Sequence, residues 1–147
     1  CALPICSPIP FSQELSHTRH YLELEQMRFG SRLNVIYDAP VTDFLIPPLT
    51  LQPIVENAVR HGIVKREEGG TLTISTAGTS EACTVTVTDD GIGFDPLKPM
   101  QDGKKHIGIQ NVQKRLQTQC HAILTIRSAP GCGTVAVITL PRNTAGK

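Results

Sequence analysis

Tryptophan is absent from this chain of 147 residues, and only two tyrosines and four phenylalanines are present. That scarcity argues against the aromatic platforms on which single-stranded nucleic acids stack. An excess of either charge is also missing: 14 Lys and Arg against 13 Asp and Glu leave a net charge of +1. Neither nucleic acid nor an anionic membrane surface is favoured by that balance. No apolar run approaches the length of a membrane span, and the opening "CALPICSPIP" lacks the charged start of a signal peptide. The cysteines (Cys1, Cys6, Cys83, Cys120 and Cys132) are odd in number and have no knuckle spacing, which argues against a disulfide framework or a zinc site. A reducing, cytoplasmic setting is therefore expected. His17 and His20 in "HTRH" read as exposed helix residues rather than chelators. What remains, 39% hydrophobic and 18% charged residues, is one domain's worth of chain, able to bury a core unaided.

The clearest periodicity lies in "LQPIVENAVRHGI", residues 51–63. Leu51, Ile54, Val55, Ala58, Val59 and Gly62 recur at three- and four-residue steps and predict a helix with one buried face, with Gly62 as a left-handed cap. Its other face carries Glu56, Asn57, Arg60 and His61, and at 100° per residue the last three fall together. Upstream, three prolines in the first ten residues predict an irregular lead-in. "FSQELSHTRHYLELEQMRFG" predicts a helix with Phe11, Leu15, Leu22 and Phe29 on one stripe and Gly30 as the stop. "RLNVIYD" reads as a short strand. Downstream, "TLTISTA" and "ACTVTVTD" flank "GTSE" as a hairpin, "IGIQNVQKRLQTQC" is amphipathic through Ile109, Val112 and Leu116, and "AILTIRS", "APGCG" and "TVAVITLP" form a second hairpin. The order helix, strand, helix, two strands, helix, two strands predicts an α+β fold. It is a two-layer sandwich with a mostly antiparallel mixed sheet and about three helices on one face.

Three stretches carry candidate chemistry. In "VTVTDDGIGFD", strand alternation puts Cys83, Val85, Val87 and Asp89 on one face. If the valines face the core, so does Asp89, a costly placement unless a hydrogen-bond donor meets it. Gly91 and Gly93 follow, letting the chain turn and a flat ligand approach. Asp89 then either caps local amides or accepts from an exocyclic amine of a planar ring. The "GCGT" stretch, with Gly131, Gly133 and Thr134, makes a good turn whatever the function, and the Thr134 hydroxyl could support a nearby carboxylate. "KKHIGIQN" joins Lys104, Lys105 and His106 to a helix start at Gly108, where free amides and the positive dipole end suit phosphate; a solvated loop is the plainer reading. On the helix at 51–63, Asn57 offers a neutral oxygen suited to Mg²⁺ and Arg60 suits phosphate oxygens, while Glu56 four residues before Arg60 reads as an ordinary surface ion pair.

The order of these groups is an Asn-bearing helix, D-x-G-x-G, a lysine loop entering a glycine helix start, then G-x-G-T. It resembles the nucleotide-binding fold of the gyrase, heat-shock chaperone, histidine kinase and mismatch-repair ATPases, the GHKL superfamily with its Bergerat-type sandwich. "LQPIVENAVRHGI", "VTDDGIGFD", "HIGIQNVQKRL" and "GCGTVAVITLP" are most similar to the ATP-binding catalytic domain of LytS/YehU-type sensor histidine kinases. "YLELEQMRFGSRLNV" is similar to the segment preceding that domain. The resemblance spans roughly residues 11–141.

Position by position, the resemblance implies that Asn57 binds the Mg²⁺ of Mg-ATP. Asp89, helped by Thr134 and a water, would accept from the adenine amine, while Gly91 and Gly93 shape the pocket. Residues 96–106, with Lys104, Lys105 and His106, form the lid, Gly108 lies beneath the phosphates, and Arg60 and His61 line the same site. His106 stands where the family usually has glycine, and it could equally donate to a phosphate. None of His17, His20, His61, His106 or His121 lies in a phosphoacceptor motif like H-F-x-F-N. The chain therefore reads as a catalytic fragment: 1–30 linking to a missing dimerisation and phosphoacceptor region, 31–141 the ATP-binding domain, 142–147 a tail. The implied function is donation of the ATP γ-phosphate to a histidine of the same kinase, with a response regulator downstream. The resemblance further implies that the whole protein is a homodimer and that this chain is a cytoplasmic domain of a membrane-anchored sensor kinase. Pro53 occupies the place where gyrase-like hydrolases carry a water-activating Glu, and Glu56 points about 100° away from Asn57. Phosphoryl transfer is thus favoured over the alternatives, an ATP hydrolase or a non-catalytic nucleotide-gated switch.

Overall fold

β-Branched residues at every second position build the sheet, and the computed structural model describes residues 8–93 and 107–141, with only the backbone path at 107–110 and 119–120. The five main strands are β2 (Leu33–Asp38), β4 (Gly70–Gly78), β5 (Ala82–Asp89), β6 (Ile123–Ser128) and β7 (Thr134–Pro141), in spatial order β2-β4-β5-β7-β6. The β2–β4 pair is parallel and the others antiparallel, so the sheet is mixed as expected. Parallel pairing needs a crossover, supplied by the helix at 51–58. One further ladder was not foreseen. Ile9–Pro10 (β1) pairs antiparallel with Leu45–Ile46 (β3), and the Phe11 amide donates to the Phe44 carbonyl at 2.8 Å. The described end of the proline-rich lead-in is therefore pinned, with the Phe11 and Phe44 rings stacked 4.7 Å apart.

Among the described residues three helices pack as the second layer: α1 (Phe11–Phe29), α2 (Leu51–Ala58) and α3 (Ile107–Cys120). Helix α1 ends at Gly30, whose φ of 58° lets the chain leave the helix. The core is one cluster in which Phe11, Leu15 and Leu22 of α1 meet Ile54, Val55 and Val59, the sheet's Leu72, Ile74, Val85, Val87 and Ile138, and α3's Val112 and Leu116. Among the described residues no helix is long and apolar enough to cross a membrane.

Helix α2 is held at both ends by charged side chains from the α1 unit. Glu14, on the buried face of α1 and 2% exposed, accepts from the backbone amides of Leu49, Thr50 and Leu51 at 3.3, 3.0 and 2.9 Å. A carboxylate there satisfies orphan N–H groups and faces the positive end of the helix dipole. Pro53 sits in the same first turn, where no amide is needed. Beyond Ala58 the helix widens into a π turn, Val59–Ile63, closed by the Val64 amide on the Val59 carbonyl at 3.0 Å. Arg32, in the 3-10 turn after α1, then donates to the carbonyls of Val64 (2.8 Å) and Arg66 (3.0 Å). Gly62 is not the left-handed cap anticipated from sequence. It keeps a right-handed backbone, and the reversal falls at Gly69, with φ 76°. The reason Gly62 is glycine lies in what faces it.

Candidate functional site

Alternation along β5 turns Cys83, Val85, Val87 and Asp89 inward, so Asp89 arrives at the strand end 4% exposed. Its Oδ1 accepts from the Gly91 amide at 2.9 Å. Burial raises its pKa from 3.8 to about 6; the Gly91 amide opposes that rise and the neighbouring Asp90 charge adds to it. Of the two roles open to Asp89 from sequence, a cap on local amides or an acceptor for a ring amine, the local cap is present, on a carboxylate that also lies buried on the inward face. Around it lies a small recess to which α2 contributes Ile54, Asn57 and Ala58, β5 contributes Val87, and β7 contributes Thr134 and Ala136. Asn57, Asp89 and Thr134, far apart in sequence, thus line one cavity.

Gly62 completes the wall. A Cβ on Gly62 would lie 2.8 Å from Asp89 Oδ1, and one on Gly91 would strike the backbone of Gly62. The two glycines let the π turn and the end of β5 meet backbone to backbone, joined by the Ile92 amide on the Gly62 carbonyl at 3.3 Å. The glycines of the second turn serve the same junction: Gly133 backs onto the Asp89 carbonyl, while Gly93 has φ 69° and abuts the Ala129 carbonyl. Gly62→Ala is expected to cost about 2 kcal/mol, because the methyl must displace a buried carboxylate. In urea denaturation that penalty should largely vanish when Asp89 is also changed to alanine; equal penalties in both backgrounds would contradict the contact.

Not every expected residue converges here. Arg60 is exposed and approaches the Tyr21 hydroxyl on α1. The Tyr21 pKa is pushed up to about 12, first by burial and then by the Glu25 and Glu56 charges, with Arg60 offsetting part of it. Glu56 does not form the expected pair with Arg60; it accepts from Gln52 Nε2 at 2.9 Å, one turn earlier on the same helix. His61 is half-buried in the π turn. Gly108 falls in the first turn of α3. Lys104, Lys105, His106 and the lid at 96–106 lie outside the described residues.

Two residues were missed. Ser128 ends β6 on the inward face, and its Oγ lies 2.8 Å from Thr134 Oγ1 and 2.9 Å from the Gly133 carbonyl. A serine closing the inward series Leu124, Ile126, Ser128 was the available signal. Arg115 of α3 donates to the carbonyl of Leu49, which sits at φ 60° ahead of α2; nothing in the local pattern announced that contact.

Residues 48–144 match the family model described as histidine kinase-, DNA gyrase B-, and HSP90-like ATPase. The chain belongs to this family. Among relatives of this ATPase-family domain, YwpD of Bacillus subtilis (strain 168) is 38% identical over 130 residues, covering 84% of this chain and 47% of its own. Sensor protein LytS of Oceanobacillus iheyensis is 33% identical over 122 residues, 75% of this chain and 21% of LytS. Sensor histidine kinase YpdA of Escherichia coli (strain K12) is 36% identical over 115 residues, 74% of this chain and 20% of YpdA. The chain thus spans under half of YwpD and about a fifth of the two sensor kinases. Its fold matches the catalytic domain of histidine kinase ThkA, with a TM-score of 0.72 at 12% identity over 92% of this chain and 97% of that one. The Erythrobacter litoralis EL346 blue-light activated histidine kinase gives 0.71 at 22% identity, over 95% and 44% of the two chains. The resemblance to LytS-type kinases and the α+β sandwich both stand.

Proposed function

We propose that this ATPase-family domain binds Mg²⁺-ATP and donates the γ-phosphate to a histidine carried by another segment of a sensor kinase. The observation that carries the reading is the buried Asp89 carboxylate beside Asn57 and Thr134. An ionisable acceptor in an apolar recess is costly unless a ligand meets it with donors, and an adenine amine does so. Gly62 and Gly91, lacking Cβ atoms, let the π turn close against the end of β5 and hold the Asp89 carboxylate in place. Among the described residues no cluster of three His, Cys, Asp or Glu could hold a metal. A Mg²⁺ brought by phosphate oxygens and touched by one amide oxygen, that of Asn57, fits this donor set. When bound, Mg²⁺ neutralises phosphate charge.

Gly108, at the start of α3, would offer backbone amides to phosphate, and Lys104, Lys105 and His106 would add donors just before it. The exposed Arg60 would reach phosphate, and His61 would serve beside it. Pro53, four residues before Asn57, has no group to take a proton from water, so a separate imidazole nucleophile is the better acceptor. Residues 1–30 would connect to that acceptor region. A dimeric, membrane-anchored parent with a response regulator downstream is the setting this function implies.

Calorimetry with ATP tests the reading. The domain should bind ATP more tightly with Mg²⁺ than without, and Asn57→Ala should abolish that increment. Equal Mg²⁺ enhancement in the variant would remove Asn57 from the site. Rapid phosphate release by the domain alone would favour a hydrolase instead.

A further inference from the structure

Asp89, Thr134 and Ser128 form a cross-strand row at one end of the sheet, for Asp89 pairs with Thr134 across β5–β7 and Thr134 with Ser128 across β7–β6. The row continues outward on the other side as Leu72 and Val35, both apolar. Three adjacent strands therefore turn oxygen-bearing side chains toward the helices at one level. The hydrogen-bond chemistry fixes the direction of the protons. The Gly133 carbonyl can only accept, so the 2.9 Å contact uses the Ser128 hydroxyl proton. A serine has one such proton. The 2.8 Å contact between Ser128 Oγ and Thr134 Oγ1 must then run from Thr134 to Ser128. With its proton turned away, Thr134 keeps its lone pairs for the recess. Asp89 Oδ1 is already engaged by the Gly91 amide, which leaves Oδ2 as a second acceptor.

We infer that Ser128 is a positioning residue for base selection: it holds the Thr134 hydroxyl as an acceptor, so that the recess presents acceptors to a 6-amino purine and rejects a 6-oxo purine. The inference rests on the proposed adenine reading of Asp89. Ser128 itself need not touch the nucleotide. Without it, the Thr134 hydroxyl rotates freely and can donate to an oxo group, so discrimination falls even though every group lining the base pocket remains.

The experiment compares ATP with inosine triphosphate on the 147-residue chain by competition calorimetry. The ratio of the two affinities is measured within each preparation, so a partly unfolded variant does not distort it. The parent should prefer ATP by about 100-fold or more. Ser128→Ala should lower that preference by about tenfold, the worth of one neutral hydrogen bond, and Ser128→Thr, which keeps the hydroxyl, should restore it. In a Thr134→Val background, Ser128→Ala should change the ratio no further, because its effect passes through Thr134. An unchanged ratio in Ser128→Ala, or an equal change in the Thr134→Val background, overturns the inference while leaving the adenine reading intact. A parent that does not distinguish the two nucleotides, or an Asp89→Asn variant that still prefers ATP as the parent does, overturns the adenine reading and the inference with it.

Discussion

Asp89→Asn is expected to make the domain more stable at neutral pH and to remove its affinity for ATP. The two effects share one cause. In the folded chain the Asp89 pKa is raised from 3.8 to about 6, chiefly by burial. Below the unfolded value the group is protonated in both states, and folding carries no penalty. As pH rises from about 4 through 6, the unfolded chain releases this proton more readily, so stability falls by about 3 kcal/mol and then levels off. Asparagine keeps an oxygen for the Gly91 amide without bearing charge, so it escapes that loss. Urea denaturation of parent and variant between pH 4 and 8 should therefore diverge, with the variant's advantage growing up to pH 6–7. A difference independent of pH would refute the assignment. In the same variant an amide N–H replaces an acceptor lone pair, so a purine amine would meet a donor. Calorimetry should find ATP binding lost, and retained affinity would remove Asp89 from the adenine contact. Such a carboxylate costs the fold stability that the Gly91 amide offsets only in part.

Glu14→Ala is expected to be among the most damaging substitutions, although Glu14 lies far in sequence from every nucleotide motif. Its carboxylate accepts from three successive backbone amides at the start of α2. Alanine would leave Thr50 and Leu51 amides buried without an acceptor and would open a cavity beside Leu15 and Leu51. A loss of about 3 kcal/mol follows from charge-assisted hydrogen bonds of this kind. Glutamine should lose less, because one of its two terminal atoms still accepts, while its NH₂ faces donors. Thermal melts ordering the variants parent, Glu14→Gln, Glu14→Ala would bear this out; an alanine variant within about 0.5 kcal/mol of the parent would refute it.

The sheet and its hairpins were legible because alternation is a local signal: the inward set of β5 was readable to its last residue, Asp89. Helix α3 was likewise readable from Val112 and Leu116. The residues that hold the elements together were less legible. Glu14 on the buried stripe of α1 and Ser128 closing an inward series were both visible as anomalies, yet their partners stand 36 and 6 residues away and only folding brings them together. Gly62 was recognised as a glycine with a purpose, but helix-ending logic supplied the wrong one. Its requirement is tertiary, a methyl-sized space owed to a carboxylate 27 residues downstream. Arg60 shows the limit of a helical wheel: it gives a direction from the axis, while neighbours such as Tyr21 of α1 decide where a long side chain comes to rest.

The paired clamps on α2 have a consequence for how the domain comes apart. Glu14 grips the backbone just before and at the start of α2 and Arg32 the backbone just past the π turn that extends it, and both belong to the stretch built around α1. Neither helix can then fray independently, since loosening either end of the shorter one strips a charged side chain of its backbone partners. Hydrogen exchange is therefore expected to find the two opening as a single cooperative unit.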